Sequence, residues 1–400
     1  MSVRKIRVAV LAALLVPALA LTWTAAPAEA GVQAWPRDLG GIPTAVHFSQ
    51  PPVGGEDYTI LNEAKRLVDS SRSGDVVAMA IHSISWQAMA ESMVAALNRG
   101  VAIWAVAPAD KRINPATGQL YGAVQYLDTY FKNSAGSRIK WCPANVSGEG
   151  GCITNNGTMH SKFITLSAAN DPSGTRRGEV SWISSANFTG SSGTKDFNNA
   201  VTLYGDSALR AKLNEVWNHM WTGTAYRGTN YYDAGIGRGY VAAPSGQLHA
   251  SPEADSDLIA SALSLITGQS SACRVRVVHA QISDRSAVVD QLRRLAGQQC
   301  VVQVVVNSIS QAMLDRLRST TLAGAPVTDI RRATYSDLHD KYIAFYDGGG
   351  MYRVITGSQN MTGRGNYNND EVMFRTAVSQ AVHDEYYWHF STVRNRSTAV

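Results

Sequence analysis

The same order of secondary structure occurs twice along the chain, and this internal repeat constrains the fold more than any other feature. The first copy has a strand-like run, a helical run that ends at a glycine, and a second strand-like run, at residues 76–84, 85–100 and 101–108. The second copy follows the same order at residues 275–283, 284–297 and 301–307. A strand, a helix and a strand at this spacing form a βαβ unit, so each copy predicts a mostly parallel or mixed sheet flanked by helices.

Each copy extends beyond its βαβ unit, which divides the chain into two halves. An apolar helical stretch precedes both units, at residues 58–71 and 256–268, so the repeat is about half the chain long. The Gly- and Tyr-rich residues 223–240 have the composition of a linker. We therefore predict an α/β protein with an N-terminal half at residues 31–230 and a similar C-terminal half at residues 231–400.

The first 30 residues have the order of a secretory signal peptide. Three basic residues come first, an apolar run at residues 8–23 follows, and the small-residue sequence AEA ends at Ala30. We predict cleavage near Ala30 and a secreted mature chain. A retained membrane anchor is the weaker alternative, because the apolar run is short and contains a proline.

Net charge does not select a class of substrate. The formal charge is +5 for the whole chain, and removing the three basic side chains and Glu29 of residues 1–30 lowers it to +3. Such mild basicity suits a substrate that carries phosphate, but it is well below the dense basic stripes of a dedicated nucleic-acid binder.

Four cysteines in an exported chain predict two disulfides. We expect Cys142 to pair with Cys152, which closes a short Gly-rich loop, and Cys273 to pair with Cys300, which joins the starts of two strands that could be neighbours. Neither a C-x-x-C nor an H-E-x-x-H spacing is present. The sequence therefore predicts neither a metal site nor a cofactor.

A polar constellation also occurs twice on the repeated scaffold. It consists of a His-x-Lys pair at the head of an apolar run and a Ser-x-Asn pair after the next one. Its copies are His160, Lys162, Ser185 and Asn187 in the first half and His339, Lys341, Ser358 and Asn360 in the second. One His-x-Lys pair could be an accident at a strand end, but the duplicated Ser and Asn favour a functional site.

This doubled pattern resembles the phospholipase D superfamily over nearly the whole mature chain. The resemblance implies two phospholipase D-type halves related by a pseudo-twofold axis, with the active site between them. The superfamily motif continues to an Asp, but Ser167 and Tyr346 occupy its positions here, and Asp347 comes one place late. Because that Asp is largely structural in the superfamily, we expect the catalytic groups to work without it.

The chemistry of the superfamily explains why the site is doubled. Displacing an alcohol from a phosphodiester requires a nucleophile on one side of phosphorus and a proton donor on the other. The resemblance implies that His160 is the nucleophile, which forms a phosphohistidine, and that His339 is the general acid and base. The groups expected to bind substrate around the phosphoryl oxygens are Lys162, Lys341, Asn187, Asn360, Ser185 and Ser358.

A nucleophilic imidazole also needs an acceptor at its other nitrogen, usually a carboxylate. After the second motif, Asp370 and Glu371 are adjacent, and Glu371 best matches the acidic position of the superfamily. In the first half, Ala200 stands where an acid might be expected, and Asp196 is a poorer substitute nearby. This difference is compatible with different roles for the two histidines.

Other histidines and aromatic residues have simpler interpretations. His82 and His279 lie in strand-like runs without a matching partner, and His383 and His389 lie in an aromatic helical segment; we interpret all four as structural. One aromatic group could either touch a membrane surface or pack in the core, and its members are Trp217, Trp221, Tyr226, Tyr231 and Tyr232.

Together these features predict a secreted, monomeric phosphodiesterase of the phospholipase D type, in transient contact with a membrane surface. It would hydrolyse phosphatidyl esters without a metal, with transfer to other alcohols as a side reaction of the same intermediate. Two alternatives stay open: a secreted metal-independent nuclease or other phosphodiesterase of the superfamily, and a catalytically inactive relative that binds phosphate. The sequence does not select the headgroup, and it does not by itself decide which histidine is the nucleophile.

Overall fold

The computed structural model describes residues 35–131, 138–223, 230–268, 270–334 and 337–400. The predicted signal peptide, its cleavage site near Ala30, and Tyr226 lie outside the described residues. Export therefore stays a prediction.

The first half forms one eight-stranded mixed sheet with helices. Its elements are β1 (Arg37–Leu39), β2 (Ile42–Ser49), α1 (Thr59–Asp69), β3 (Val76–Ile81), α2 (Gln87–Asn98), β4 (Ala102–Pro108), α3 (Gly122–Phe131), β5 (Arg138–Cys142), β6 (Lys162–Asn170), β7 (Arg176–Ser184), α4 (Ser191–Thr194), β8 (Asn198–Tyr204) and α5 (Ser207–Thr222). The strand order is β1-β2-β8-β7-β6-β3-β4-β5. Strands β3, β4 and β5 are parallel, and the other neighbours are antiparallel.

The second half repeats this plan. Its elements are β9 (Tyr240–Ala243), β10 (Gly246–Ser251), α6 (Leu258–Ser264), β11 (Arg274–Ser283), α7 (Ser286–Gly297), β12 (Val301–Ile309), α8 (Gln311–Arg318), β13 (Asp329–Ala333), β14 (Lys341–Tyr346), β15 (Tyr352–Gly357), β16 (Met361–Thr362), α9 (Gly363–Tyr367), β17 (Glu371–Thr376), α10 (Gln380–Asn395) and β18 (Ser397–Ala399). The order is β18-β13-β12-β11-β14-β15-β17-β10-β9, with β16 beside β11.

The two halves therefore share one topology, which confirms the predicted fold class. Both βαβ units form, as β3-α2-β4 and β11-α7-β12, and their strands are parallel. The sheets are mixed because the strand that carries each His-x-Lys lysine, β6 or β14, runs antiparallel to the first strand of the unit. The predicted boundary at residues 230 and 231 falls between α5 and β9 and stays a prediction.

Among the described residues, three apolar clusters stabilise the fold. One lies between the first sheet and α1, α2 and α3, and a second lies between the second sheet and α6, α7 and α8. The third is shared by both sheets with α5 and α10, and it includes Phe163 and Val201 of the first half and Tyr342 and Phe374 of the second. Burial of each such side chain contributes about 1.5–3 kcal/mol, so the shared cluster fixes the halves against each other.

The two helices of the shared cluster have ends that the sequence encodes. The Asp206 side chain accepts a hydrogen bond from Leu209 N at the start of α5 (3.0 Å), and the Ser379 side chain caps α10. At the end of α5, Gly223 adopts φ 70°, a left-handed conformation that favours glycine.

Both predicted disulfides form. Cys142–Cys152 closes the loop that leads toward His160, and Cys273–Cys300 joins the residues that precede β11 and β12.

The described members of the aromatic group pack in or against the apolar clusters. Trp217 and Tyr231 are buried in the shared cluster, Trp221 packs against it, and Tyr232 packs against the second-half cluster. Core packing therefore accounts for these four side chains. Across the described residues, no helix combines the length and apolar character needed to cross a membrane.

Candidate active site

The two motif histidines lie where the halves meet, and each is held by a backbone bridge to the other half. His160 N donates to Asp370 O (3.0 Å), which joins the segment before β6 to the segment before β17. His339 N donates to Phe197 O (2.9 Å), which joins the segment before β14 to the segment before β8. The two bridges are equivalent under the pseudo-twofold relation of the halves.

The imidazole rings are oriented across the same interface. His160 Nδ1 is 2.7 Å from Glu371 Oε1, and His339 Nδ1 is 3.0 Å from Asn198 Oδ1. Because each partner is an oxygen acceptor, each Nδ1 carries the hydrogen. The Nε2 atom of each ring is then the nitrogen available for chemistry at phosphorus.

The motif serines hold the partners of the histidines. Ser358 Oγ donates to Glu371 Oε2 (2.6 Å), and Ser185 Oγ donates to Asn198 Oδ1 (2.9 Å). Both serines are fully buried, and each lies 13 residues before its partner. The serines therefore orient the groups that orient the histidines, while direct contact with substrate stays a prediction.

Asn198 corrects the first-half part of the sequence interpretation. Neither Ala200 nor Asp196 is the equivalent of Glu371: Ala200 is an apolar residue of β8, and Asp196 accepts a hydrogen bond from Ser192 Oγ (3.3 Å). An acidic residue was expected at this position, but the partner of His339 is the neutral amide of Asn198. The spacing in the sequence could have identified it, because Asn198 follows Ser185, and Glu371 follows Ser358, by the same 13 residues.

Two buried lysines begin the strands that follow the histidines. Lys162 Nζ donates to the carbonyl of His160 (2.6 Å), and Lys341 Nζ donates to the carbonyl of His339 (2.7 Å). Burial lowers the pKa of Lys162 well below its usual value and lowers the pKa of Lys341 to about 8, although Glu371 acts in the opposite direction on both. Two lysines confined in this way favour an anionic substrate such as a phosphodiester, because a bound anion offsets the effect of burial on their charged forms.

The motif asparagines follow the serines by two residues in both halves. The side-chain oxygens of Asn187 and Asn360 are buried and have no hydrogen-bond partner among the described residues. The structure thus places them equivalently, and their contact with phosphoryl oxygens stays a prediction.

Burial dominates the electrostatics of the histidines and of Glu371. Burial, followed by the charges of Lys162 and Lys341, lowers the pKa of both His160 and His339 well below the usual value. Burial also raises the pKa of Glu371 to about 7. Both imidazoles are therefore neutral near pH 7, as a nucleophile must be, and the negative charge of a bound phosphodiester would favour protonation of the one that acts as acid.

Asp370, beside Glu371, fixes the first-half loop that precedes His160. Its carboxylate accepts hydrogen bonds from the backbone N–H groups of Cys152 (2.8 Å), Ile153 (3.0 Å) and Thr154 (2.7 Å). Burial raises the pKa of this carboxyl to about 7 in spite of the three donors. One side chain of the second half thus orders the loop that leads to His160.

Gly157 allows the same loop to approach the second half closely. A Cβ atom at this position would lie 2.3 Å from the carbonyl oxygen of Asn368. Any larger residue would push the segment before His160 away from β17.

The substituted motif positions lie away from the histidines. Ser167 is five residues beyond Lys162 on β6, roughly 16 Å along the strand. Its Oγ accepts a hydrogen bond from Val76 N (2.9 Å), and Asp347 instead accepts from Gly349 N and Met351 N in a turn. The missing Asp residues therefore remove no group from the site.

His82 lies in the site, although the sequence interpretation treated it as structural. Its ring centroid is 4.6 Å from that of His160, and its Nδ1 is 2.9 Å from Met159 O. His279, by contrast, is buried opposite Lys341 in the β11–β14 pair. His82 was missed because only the pairing of β3 with β6 brings it to His160.

The two histidines of α10 are structural, as predicted. His389 stacks on Phe48 and bonds Asp340 (2.9 Å), and His383 bonds its neighbour Asp384 (3.0 Å). Within the described ranges, no group of three or more His, Cys, Asp or Glu side chains is arranged to hold a metal ion.

Comparisons with known proteins agree with the repeat. The family model described as "Cardiolipin synthase, PLD-like domain" matches residues 65–221 and 266–393, one segment in each half. No curated protein sequence matches the chain.

Two solved structures have a similar fold. Phosphatidylserine synthase from Haemophilus influenzae Rd KW20 superposes with a TM-score of 0.61 at 10% identity over 90% of both chains. Polyphosphate kinase from Porphyromonas gingivalis superposes with a TM-score of 0.58 at 11% identity, over 87% of this chain and 50% of the kinase. The chain thus spans about half the length of that kinase, and at these identities the likeness shows the fold alone.

Proposed function

The chain belongs to the cardiolipin synthase PLD-like domain family of the phospholipase D superfamily, and from this premise we propose that it is a secreted phosphodiesterase that cleaves phosphatidyl esters. Members of the superfamily act on phosphodiester bonds. Two otherwise equivalent histidines with unequal partners support a two-step reaction most strongly, because a carboxylate holds His160 and an amide holds His339.

The carboxylate makes His160 the better nucleophile. In the first step His160 Nε2 attacks phosphorus, a nitrogen–phosphorus bond forms, and the bond from phosphorus to the leaving alcohol oxygen breaks. The ring gains positive charge in this step, and Glu371 stabilises that charge through Nδ1. Asn198 offers no comparable stabilisation, so the roles of the two histidines are not interchangeable.

His339 serves both steps from the opposite side of phosphorus. Its protonated Nε2 gives a proton to the departing alcohol. It then takes a proton from water, whose oxygen attacks phosphorus while the nitrogen–phosphorus bond breaks and His160 is regenerated. An alcohol that replaces water would give transfer instead of hydrolysis.

A phosphatidyl substrate and export are supported by separate observations. The matched family is described by the name of a phospholipid-synthesising enzyme, and both half-sites are contained in one chain. Two disulfides suit an oxidising compartment, as does the signal-peptide pattern of residues 1–30.

The direct test uses residues 31–400 with phosphatidylcholine vesicles, a chelator and dilute ethanol. Release of choline and formation of phosphatidylethanol are expected, and both should be lost in His160→Ala and His339→Ala. His383→Gln, a change on α10, is the matched histidine control and should retain both products. Cleavage of DNA without lipid turnover would replace this proposal by the nuclease alternative, and no turnover of any diester would indicate the inactive relative.

A further inference from the structure

His82 is a third imidazole at the reacting centre, and the strand pairing explains how it comes to be there. In the antiparallel β3–β6 pair, Ile81 lies opposite Lys162. His82, the residue after β3, therefore lies beside Ser161, the residue before β6. The ring centroids of His82 and His160 are 4.6 Å apart with a 60° angle between the planes. The side chain therefore lies against the nucleophile.

One nitrogen of His82 is committed to the protein, and the other is available. Nδ1 is 2.9 Å from the carbonyl oxygen of Met159, and because a carbonyl only accepts, Nδ1 carries a hydrogen. Nε2 makes no hydrogen bond within the described part of the chain, and the side chain is partly exposed. This second nitrogen can bind a ligand without breaking any contact.

The second half has no counterpart of His82. There, His279 lies opposite Lys341 in the β11–β14 pair, so the equivalent of His82 is Ala280. The ring of His279 corresponds to Ile81 and is buried. The extra imidazole thus belongs only to the His160 side, where the covalent intermediate of the proposed reaction forms.

We propose that His82 is a catalytic residue whose Nε2–H donates a hydrogen bond to a nonbridging oxygen of the phosphoryl group on His160. This inference rests on the proposed function for its substrate, but phosphate binding alone tests it. Nε2 of neutral His82 carries a lone pair that would repel a phosphate oxygen, so the ring must take up one proton from solvent when the anion binds. No bond to phosphorus is made or broken by His82.

The surroundings of His82 keep its ring neutral in the free protein, so a proton is taken up only when an anion binds. Besides burial, three charged or titratable groups lower the pKa of His82, and they are His160, Lys162 and Lys111. His82 in turn lowers the pKa of His339 and of Asp110, which also lie near the ring. Burial, followed by the charges of His160 and Lys162, lowers the pKa of His82 well below its usual value. A bound phosphate dianion opposes each of these effects, so binding and protonation should be coupled.

The test measures binding of inorganic phosphate by isothermal titration calorimetry at pH 7, in two buffers of different ionisation enthalpy. The two buffers together report the affinity and the number of protons taken up. The variants are His82→Ala, His82→Gln and the control His383→Gln, with thermal unfolding to verify that each is folded.

His82→Ala should weaken phosphate binding about 10- to 100-fold, the range expected for one hydrogen bond to a charged group, and should reduce proton uptake. His82→Gln should bind phosphate more tightly than His82→Ala, because its amide N–H can donate a hydrogen bond to the anion. It should take up fewer protons than wild type, because an amide does not titrate. Equal affinity and equal proton uptake in wild type and His82→Ala would overturn the inference. His82-dependent phosphate binding in a protein that turns over no diester would support the hydrogen bond from His82 to phosphate while refuting the proposed function and any catalytic role.

Discussion

Replacing Glu371 with glutamine would separate the charge of this residue from its hydrogen bonds. The glutamine oxygen can still accept from His160 Nδ1, and its amide can face Ser358 Oγ, which can redirect its own hydrogen to Val372 O (3.4 Å). The tautomer of His160 is therefore preserved. Only the carboxylate charge next to the imidazole is lost.

The size of the effect on rate follows from the 2.7 Å contact between His160 and Glu371. A hydrogen bond to a charged group is worth about 1.5–3 kcal/mol, and this bond strengthens as the ring becomes cationic during attack. A loss of about 2 kcal/mol corresponds to a roughly 30-fold slower formation of the phosphohistidine. The affinity for substrate should change much less, because the charge on the ring develops in the transition state.

The same substitution should stabilise the fold at high pH. The pKa of Glu371 is raised from 4.5 to about 7 by burial, so its ionisation in the folded protein removes stability as the pH rises from about 4.5 through about 7. At pH 8 that cost is on the order of 3 kcal/mol, and glutamine avoids it. The variant should therefore be slower and more stable at pH 8, with little stability difference near pH 4.

Single-turnover kinetics and urea unfolding at pH 4 and pH 8 measure the two effects. Two results would contradict this role of Glu371: a variant that forms the intermediate at the wild-type rate, and a variant that loses rate and stability together. The second result would mean that Glu371 supports the fold and not the charge of the transition state.

Two further predictions follow from the same residues. The pH profile of kcat/KM for a chromogenic phosphodiester should rise with an apparent pKa of about 7 as Glu371 ionises, and it should fall near about 8 as Lys341 loses its proton. Lys341→Arg should remove the fall at alkaline pH. A profile that this variant leaves unchanged would contradict the assignment of the fall to Lys341. Asp370→Asn should reduce activity toward the same chromogenic substrate, because its amide N–H would face backbone donors in the loop that leads to His160. Asp347→Asn is the matched control, because two backbone N–H groups of a turn bind this carboxylate away from the site. It should affect stability and leave activity unchanged. Equal losses of activity in Asp370→Asn and Asp347→Asn would exclude an effect of Asp370 through the loop before His160.

Much of this architecture could be predicted because the repeat consists of patterns between residues that are close in the sequence. Apolar periodicity identified both βαβ units, and the cysteine positions at the starts of β11 and β12 identified one disulfide. The two His-x-Lys and Ser-x-Asn pairs identified the site, since their spacing is local. Glu371 was identified through resemblance to the superfamily.

What could not be predicted depends on contacts between distant segments. Each motif histidine is oriented by a residue of the other half. This arrangement requires the backbone hydrogen bonds from His160 to Asp370 and from His339 to Phe197, which no local sequence pattern predicts. Asn198 was missed because the expected chemistry was acidic. His82 was missed because its proximity to His160 arises from strand pairing.

The residue that carries the covalent intermediate decides whether the two histidines have different roles. His339→Ala can be mixed with bis(4-nitrophenyl) phosphate, whose nitrophenolate leaves without a proton, so that the intermediate accumulates because its hydrolysis lacks a base. Alkaline quenching and peptide mass spectrometry then locate the phosphoryl adduct. The unequal partners Glu371 and Asn198 predict an adduct on His160 and none in His160→Ala; an adduct that forms on His339 in His160→Ala but never on His160 would contradict the assignment.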